Sequence, residues 1–125
     1  MAEEQKIILV VDDNETSLVA CKQILKPHYT VYTVPSAARM FELLQNVTPD
    51  LILLDIEMPR MNGYEVAQIL KENDAFGGIP VIFLSVRSDA ASELEGFNAG
   101  ALDYIHKPFV GEELLKRIET HLRCI

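Results

Sequence analysis

Cysteine is scarce in this 125-residue chain: Cys21 and Cys124 are the only two, they lie far apart, and no CxxC spacing occurs. That excludes a disulfide-stapled scaffold and a cysteine-based zinc site. It fits a reducing compartment, with Cys21 facing the core and Cys124 terminal. Three scattered histidines add no zinc pattern. Basic charge is also short, with 11 basic against 19 acidic side chains and a net charge of −8. A surface of that sign repels a phosphate backbone, so no direct nucleic-acid binding is expected, whereas cation binding suits it. No apolar run approaches the ~20 residues of a membrane span, so no membrane partner is expected. Met1 to Lys6 is polar and acidic rather than signal-like, which makes a cytoplasmic location the expectation.

What is present is a core. Hydrophobic residues make up 49% and charged residues 24% of the chain, a composition that folds rather than staying disordered. At ~150 residues per domain, the length predicts one domain over residues 1–125, with no internal repeat or linker. Ile7 to Val11, Leu51 to Leu54 and Val81 to Leu84 are continuous apolar runs, as expected of strands covered on both faces of a parallel sheet. Thr30 to Val34 and the short Tyr104-Ile105 are weaker and read as edge strands.

Helical spacing fills the intervals. Leu18, Cys21 and Leu25 form a stripe that Pro27 stops, since proline cannot continue a helix. Ala37, Met40, Phe41 and Leu44 follow i, i+3, i+4, i+7 spacing behind Ser36 as N-cap. Val66, Ala67 and Leu70 mark a third helix. Ala90, Leu94 and Phe97 mark a fourth, begun near Asp89 and closed at Gly100, and Leu114, Leu115, Ile118 and Leu122 a fifth. Strand then helix, five times over, predicts an α/β (βα)5 flavodoxin-like, doubly wound parallel sheet. Placing the three apolar strands centrally gives the strand order 2-1-3-4-5.

Sites in such sheets lie outside the carboxyl ends of the strands. Asp12 and Asp13 end the first strand, Asp55 the third and Ser85 the fourth, while Lys107 follows the fifth. Packed carboxylates repel one another unless a cation joins them. Mg²⁺ takes oxygen ligands from one or two carboxylates plus phosphate oxygens. An aspartate can attack phosphorus and form an acyl phosphate, whose oxygens then need neutralising by groups such as an ammonium and a hydroxyl. Singly, each residue has a plain alternative: a helix cap for Asp12-Asp13, a loop acid for Asp55, a strand-end hydroxyl for Ser85, a solvated charge for Lys107. Jointly they make a site.

Val11-Asp12-Asp13-Asn14, Leu54-Asp55-Ile56-Glu57-Met58-Pro59, the following Arg60-Met61-Asn62-Gly63, Ser85 and Lys107-Pro108-Phe109 together resemble the receiver domains of two-component response regulators, including chemotaxis regulators. The resemblance runs from Ile7 to about Leu122. It implies that Asp55 is the phosphoacceptor and that Asp12 and Asp13, with Asp55 and the backbone carbonyl of Glu57, hold Mg²⁺. It further implies that Lys107 contacts the phosphoryl group, that Lys107-Pro108 is a cis peptide, and that Ser85 and Tyr104 form a switch pair. The donor would be a histidine kinase or phosphotransfer protein. Output, to a partner, another domain or a phosphorylation-linked dimer, would use the face of the fourth helical stretch, fifth strand and fifth helical stretch. The chain would then be a signalling receiver rather than an enzyme, catalysing only its own phosphorylation and dephosphorylation.

Val86 departs from the family pattern, where a smaller residue is usual, and tightens access to the phosphate. Glu57 and Arg87 are expected to meet across the mouth and tune hydrolysis. Tyr104 also has a packing reading, Gly63 serves a backbone need, and Gly96 either eases movement of the fourth helix or allows close packing. His106 and His121 read as surface residues. Three rivals are weaker: a receiver-like binding module without phosphotransfer, although acceptor, acid pair and lysine are all present; an aspartyl phosphatase, although the second acid is Glu57 and no cap insertion exists; and a flavin-binding protein, although Asp12-Asp13 would repel its phosphate.

Overall fold

In the computed structural model, the described residues are 5–85, 98, 103–107 and 110–123. Five parallel strands form one sheet in the order β2-β1-β3-β4-β5. In chain order the elements are β1 (Ile7–Val11), α1 (Glu15–Leu25), β2 (Thr30–Val34), α2 (Ala37–Leu44), β3 (Leu51–Asp55), α3 (Gly63–Glu72), β4 (Val81–Ser85), β5 (Asp103–His106) and α4 (Gly111–Arg123). The expected strand order, the central position of the three apolar strands and the edge position of the two weaker ones are all observed. Apart from Asn98, the stretch expected as a helix between Asp89 and Gly100 lies outside the described residues, as do Val86, Arg87, Pro108, Phe109 and Cys124.

Side chains alternate across a strand, and the sheet uses both faces. On one, Leu9, Val11, Ile52, Leu54 and Phe83 pack with Met40 and Leu44 of α2 and with Val66 and Leu70 of α3. On the other, Ile8, Val10, Leu53, Ile82 and Leu84 pack with Cys21 and Leu25 of α1 and with Leu114 and Ile118 of α4. Continuous apolar strands are what such two-sided covering requires.

Polar caps fix where the helices begin. Ser36 accepts from the Arg39 N–H, as the sequence predicts, and Asn62 forms a capping box with Glu65 ahead of α3. Before α1 the cap is Asn14, which accepts from the Ser17 N–H. The preceding aspartates are therefore not consumed in capping that helix.

The strands run slightly past their apolar residues. Asp55 stays in register opposite Leu84, and Ser85 opposite His106, because backbone bonding continues there. Ile56 N–H donates to the Leu84 carbonyl, and Lys107 N–H to the Ser85 carbonyl. These bonds carry the sheet's backbone pairing on to the polar strand ends. At the opposite end of β5, Asp103 accepts two hydrogen bonds from Arg117 of α4, at 2.8 and 3.0 Å, and lies 2.9 Å from His121 Nε2. Burial pushes the Asp103 carboxyl up, but the bonds from His121, the Tyr104 N–H and Arg117 outweigh it and leave its pKa lowered. His121 is thus half-buried and ties α4 to the sheet, a correction to its reading as a surface residue. No helix among the described residues is long and apolar enough to cross a membrane.

Candidate functional site

The sheet register brings the site together. Val11 pairs with Leu54, so the next residues, Asp12 and Asp55, leave adjacent strands side by side. Ligand oxygens of Asp12, Asp13 and Asp55 all lie within 4.8 Å of one another. Asp12 and Asp55 are buried and Asp13 is exposed, so the cluster has a dry floor and an open mouth.

Lys107 enters from beyond β5. Its ammonium lies 2.6 Å from Asp12 Oδ2 and 3.4 Å from Asp55 Oδ1, with the side chain only 13% exposed. Burial alone would lower the lysine pKa, but the hydrogen bond to Asp12 and the charges of Asp55 and Asp12 win and raise it. Lys107 therefore stays charged and bridges two carboxylates that would otherwise repel. Asp12 Oδ1 accepts from the Asn14 N–H at 2.9 Å, and Asp55 Oδ1 from the Glu57 N–H at 3.3 Å. Burial first, then the charge of Asp12, push the Asp55 carboxyl from 3.8 to about 7 despite Lys107. Below Asp12, burial and the same charge raise the Cys21 thiol to about 12, which makes it an inert core residue.

Ser85 is fully buried at the end of β4. Tyr104, on the neighbouring edge strand, turns into the core with 4% of its surface exposed, and among the described residues its hydroxyl has no hydrogen-bond partner. A buried hydroxyl without a partner costs about 1–3 kcal/mol. Tyr104→Phe is therefore expected to stabilise the unphosphorylated protein by about 1 kcal/mol in urea unfolding. A loss of stability would mean that the hydroxyl is satisfied.

The loop from β3 to α3 contains what the sequence did not reveal. Met61 N–H donates to the Pro59 carbonyl, two residues back, and Arg60 between them has φ 71°. This is the strained form of a γ-turn, in a region that costs an L-residue about 1–2 kcal/mol. Only a glycine in the sequence would have signalled it. Arg60→Gly should relieve the strain and, after the entropy glycine loses on folding, raise stability by about 0.5–1 kcal/mol. A lower melting temperature would contradict the assignment. Gly63 opens α3 immediately against β3, its N–H donating to the Ile56 carbonyl at 2.8 Å.

The sequence model of the response regulator receiver domain family matches residues 8–119, and this chain belongs to that family. A Vibrio cholerae protein named probable cyclic di-GMP phosphodiesterase is 40% identical over 119 residues, covering 95% of this chain and 27% of that protein. The Bacillus subtilis transcriptional regulatory protein YvrH is 35% identical over 122 residues, 96% of this chain and 50% of that one. The chain thus spans only a quarter to a half of the length of these relatives. Among solved structures, the chemotaxis protein CheY4 of Vibrio cholerae superposes with a TM-score of 0.87 at 26% identity, covering 93% of this chain and 98% of that chain. DrrB, a Thermotoga maritima OmpR/PhoB homologue, gives 0.84 at 34% identity, with 95% and 53% covered. This is a receiver domain of two-component signalling, and phosphorylation-dependent switching is the general function of its family. Its relatives include histidine kinases and DNA-binding response regulators, and receivers of this family bind Mg²⁺ at an acidic pocket.

Proposed function

We propose that the chain acts as a single receiver over residues 1–125, in the cytoplasm, and that its phosphoacceptor is Asp55. The observation that carries this reading is the cluster of Asp12, Asp13 and Asp55 within 4.8 Å, with Lys107 bridging two of its members. The donor set is all oxygen and strongly acidic, which fits Mg²⁺ rather than a softer metal. Asp12, Asp13, Asp55 and the Glu57 carbonyl would hold the ion. Bound there, it would supply positive charge to the carboxylates and to a phosphoryl oxygen.

The protein's own residues do the rest. A carboxylate oxygen of Asp55 attacks phosphorus, and the bond from phosphorus to the donor's leaving group breaks. Lys107 needs only a small displacement from Asp55 Oδ1 to meet an oxygen of the transferred group, and its raised pKa keeps it cationic while it does so. The Ser85 hydroxyl, one residue beyond the Leu84 that pairs with Asp55, would take another oxygen. Tyr104, already turned inward, would fill the space behind Ser85 in the switched state. The phosphoryl donor is a histidine kinase or phosphotransfer protein. Output runs through the face expected of the fourth helical stretch together with β5 and α4, toward a partner, a further domain or a phosphorylation-linked dimer. Intact mass after incubation with Mg²⁺ and a small acyl phosphate tests the reading. The expected result is one added phosphoryl group in the parent and none in Asp55→Asn or in EDTA. A parent that binds Mg²⁺ yet gains no mass would instead identify a binding module.

A further inference from the structure

Beside the carboxylate site, a second concavity opens between the start of α2 and the β3–α3 loop. Its volume is about 590 Å³, within the ~300–1,000 Å³ typical of small-molecule sites. Ala38 and Phe41 form one wall and Met58, Pro59 and Met61 the other, with Arg60 among them. Neither the acidic residues nor Lys107 line it.

We propose that this cavity binds a small amphipathic anion, an aryl or alkyl carboxylate, with its apolar body against Phe41, Met58 and Met61 and its charge at Arg60. Three observations converge. The lining is apolar apart from Ser36 and Arg60, and methionine walls adapt to irregular apolar shapes. Arg60 is exposed, and among the described residues its guanidinium has no ion-pair partner, so it is available to a carboxylate, which arginine engages bidentately. Finally, Arg60 occupies a left-handed backbone conformation that glycine would take without strain, and side chains held at such positions concentrate at ligand clamps. Charge selects the class. The whole chain carries −8, which disfavours polyanions, whereas a single carboxylate on a large apolar body gains from the wall and needs only one cation. The site does not depend on phosphorylation of Asp55.

The test is a titration of 1-naphthoate into the unphosphorylated chain in EDTA, followed by amide ¹⁵N–¹H shifts, with the uncharged 1-naphthamide as comparison. Saturable shifts at 36–41 and at Met58, Arg60 and Met61, and naphthamide binding about tenfold weaker, are expected for one charge-assisted contact. Arg60→Gly, which suits the backbone angle, should bring naphthoate down to the naphthamide level. Ala38→Phe, at an exposed position of α2, should fill the cavity and abolish binding of both, with circular dichroism and melting showing that each variant is folded. Equal affinity of the two probes for the parent, unchanged naphthoate binding in Arg60→Gly, shifts elsewhere, or no binding at millimolar naphthoate would each overturn the proposal.

Discussion

Asp55→Asn is expected to make the metal-free protein more stable by about 2–4 kcal/mol at pH 8, while removing its capacity to accept a phosphoryl group. The stability gain follows from where the carboxylate sits. Asp55 is 3% exposed, beside the buried Asp12, and its pKa is pushed from 3.8 to about 7. The folded state therefore keeps a proton that the unfolded chain has already lost between about pH 4 and 7. Where the folded state binds more protons, stability falls as pH rises. Asp55 thus costs nothing below about pH 4, its cost grows through the window up to about 7, and above that the cost is present in full. At about 1.4 kcal/mol per pH unit, the whole effect is roughly 4 kcal/mol. Lys107, at 3.4 Å, already offsets part of the repulsion. Asparagine keeps an oxygen for the Glu57 N–H but carries no charge, so the variant should lack this slope. Urea unfolding at pH 5 and pH 8 in EDTA reads it directly. The parent should lose stability between the two values by at least 2 kcal/mol more than the variant, and parallel behaviour would mean that Asp55 is not destabilised by its surroundings. Adding Mg²⁺ at pH 8 should narrow the gap, since a ligand that binds only the folded parent stabilises it.

Gly63→Ala carries the second large effect, through backbone rather than charge. A Cβ on Gly63 would lie 2.6 Å from the Asp55 carbonyl oxygen and 2.8 Å from the Ile56 Cα. Neither atom belongs to a side chain that can rotate away, so α3 must move or the end of β3 must. Overpacking of this kind costs about 1–3 kcal/mol, and backbone neighbours place it at the upper end. Because the displaced atoms belong to Asp55 and the residue after it, phosphorylation should slow as well. A misplacement of about 1 Å at a reacting group can cost around 100-fold in rate. Gly78→Ala is the control, since nothing lies within 4 Å of a Cβ there. The expected outcome is a marked loss of stability and of acyl-phosphate-driven phosphorylation in Gly63→Ala only. Equal behaviour of the two variants would show that α3 does not need to lie so close to β3.

The contrast between these residues shows what sequence patterns carry. Strand order was legible because burial on both faces demands continuous apolar runs, as at Leu51 to Leu54, whereas Thr30–Val34 at the edge mixes polar residues in. The placement of Asp12, Asp13, Asp55, Ser85 and Lys107 at strand ends was legible for the same reason: polar residues closing apolar runs mark the sheet's carboxyl edge. The left-handed Arg60 was not legible, because arginine has no preference for that conformation and the turn is imposed by the Gly63–Ile56 and Met61–Pro59 backbone bonds. Nor was the Asp103–Arg117–His121 cluster, which exists only once α4 packs against β5. The raised pKa of Asp55 needed the distance to Asp12, which the register sets. Patterns in sequence report which face a residue occupies. Distances between side chains from separate strands arise only from packing.

The most direct test of the central claim is to locate the phosphoryl group. The chain would be phosphorylated with a small acyl phosphate and Mg²⁺ and reduced with borohydride, which converts an aspartyl phosphate to homoserine. Peptide mass spectrometry then reads which residue has changed. Homoserine at position 55 alone is the predicted result. Conversion at position 12 or 13, or phosphate retained on a hydroxyl such as Ser85, would contradict it.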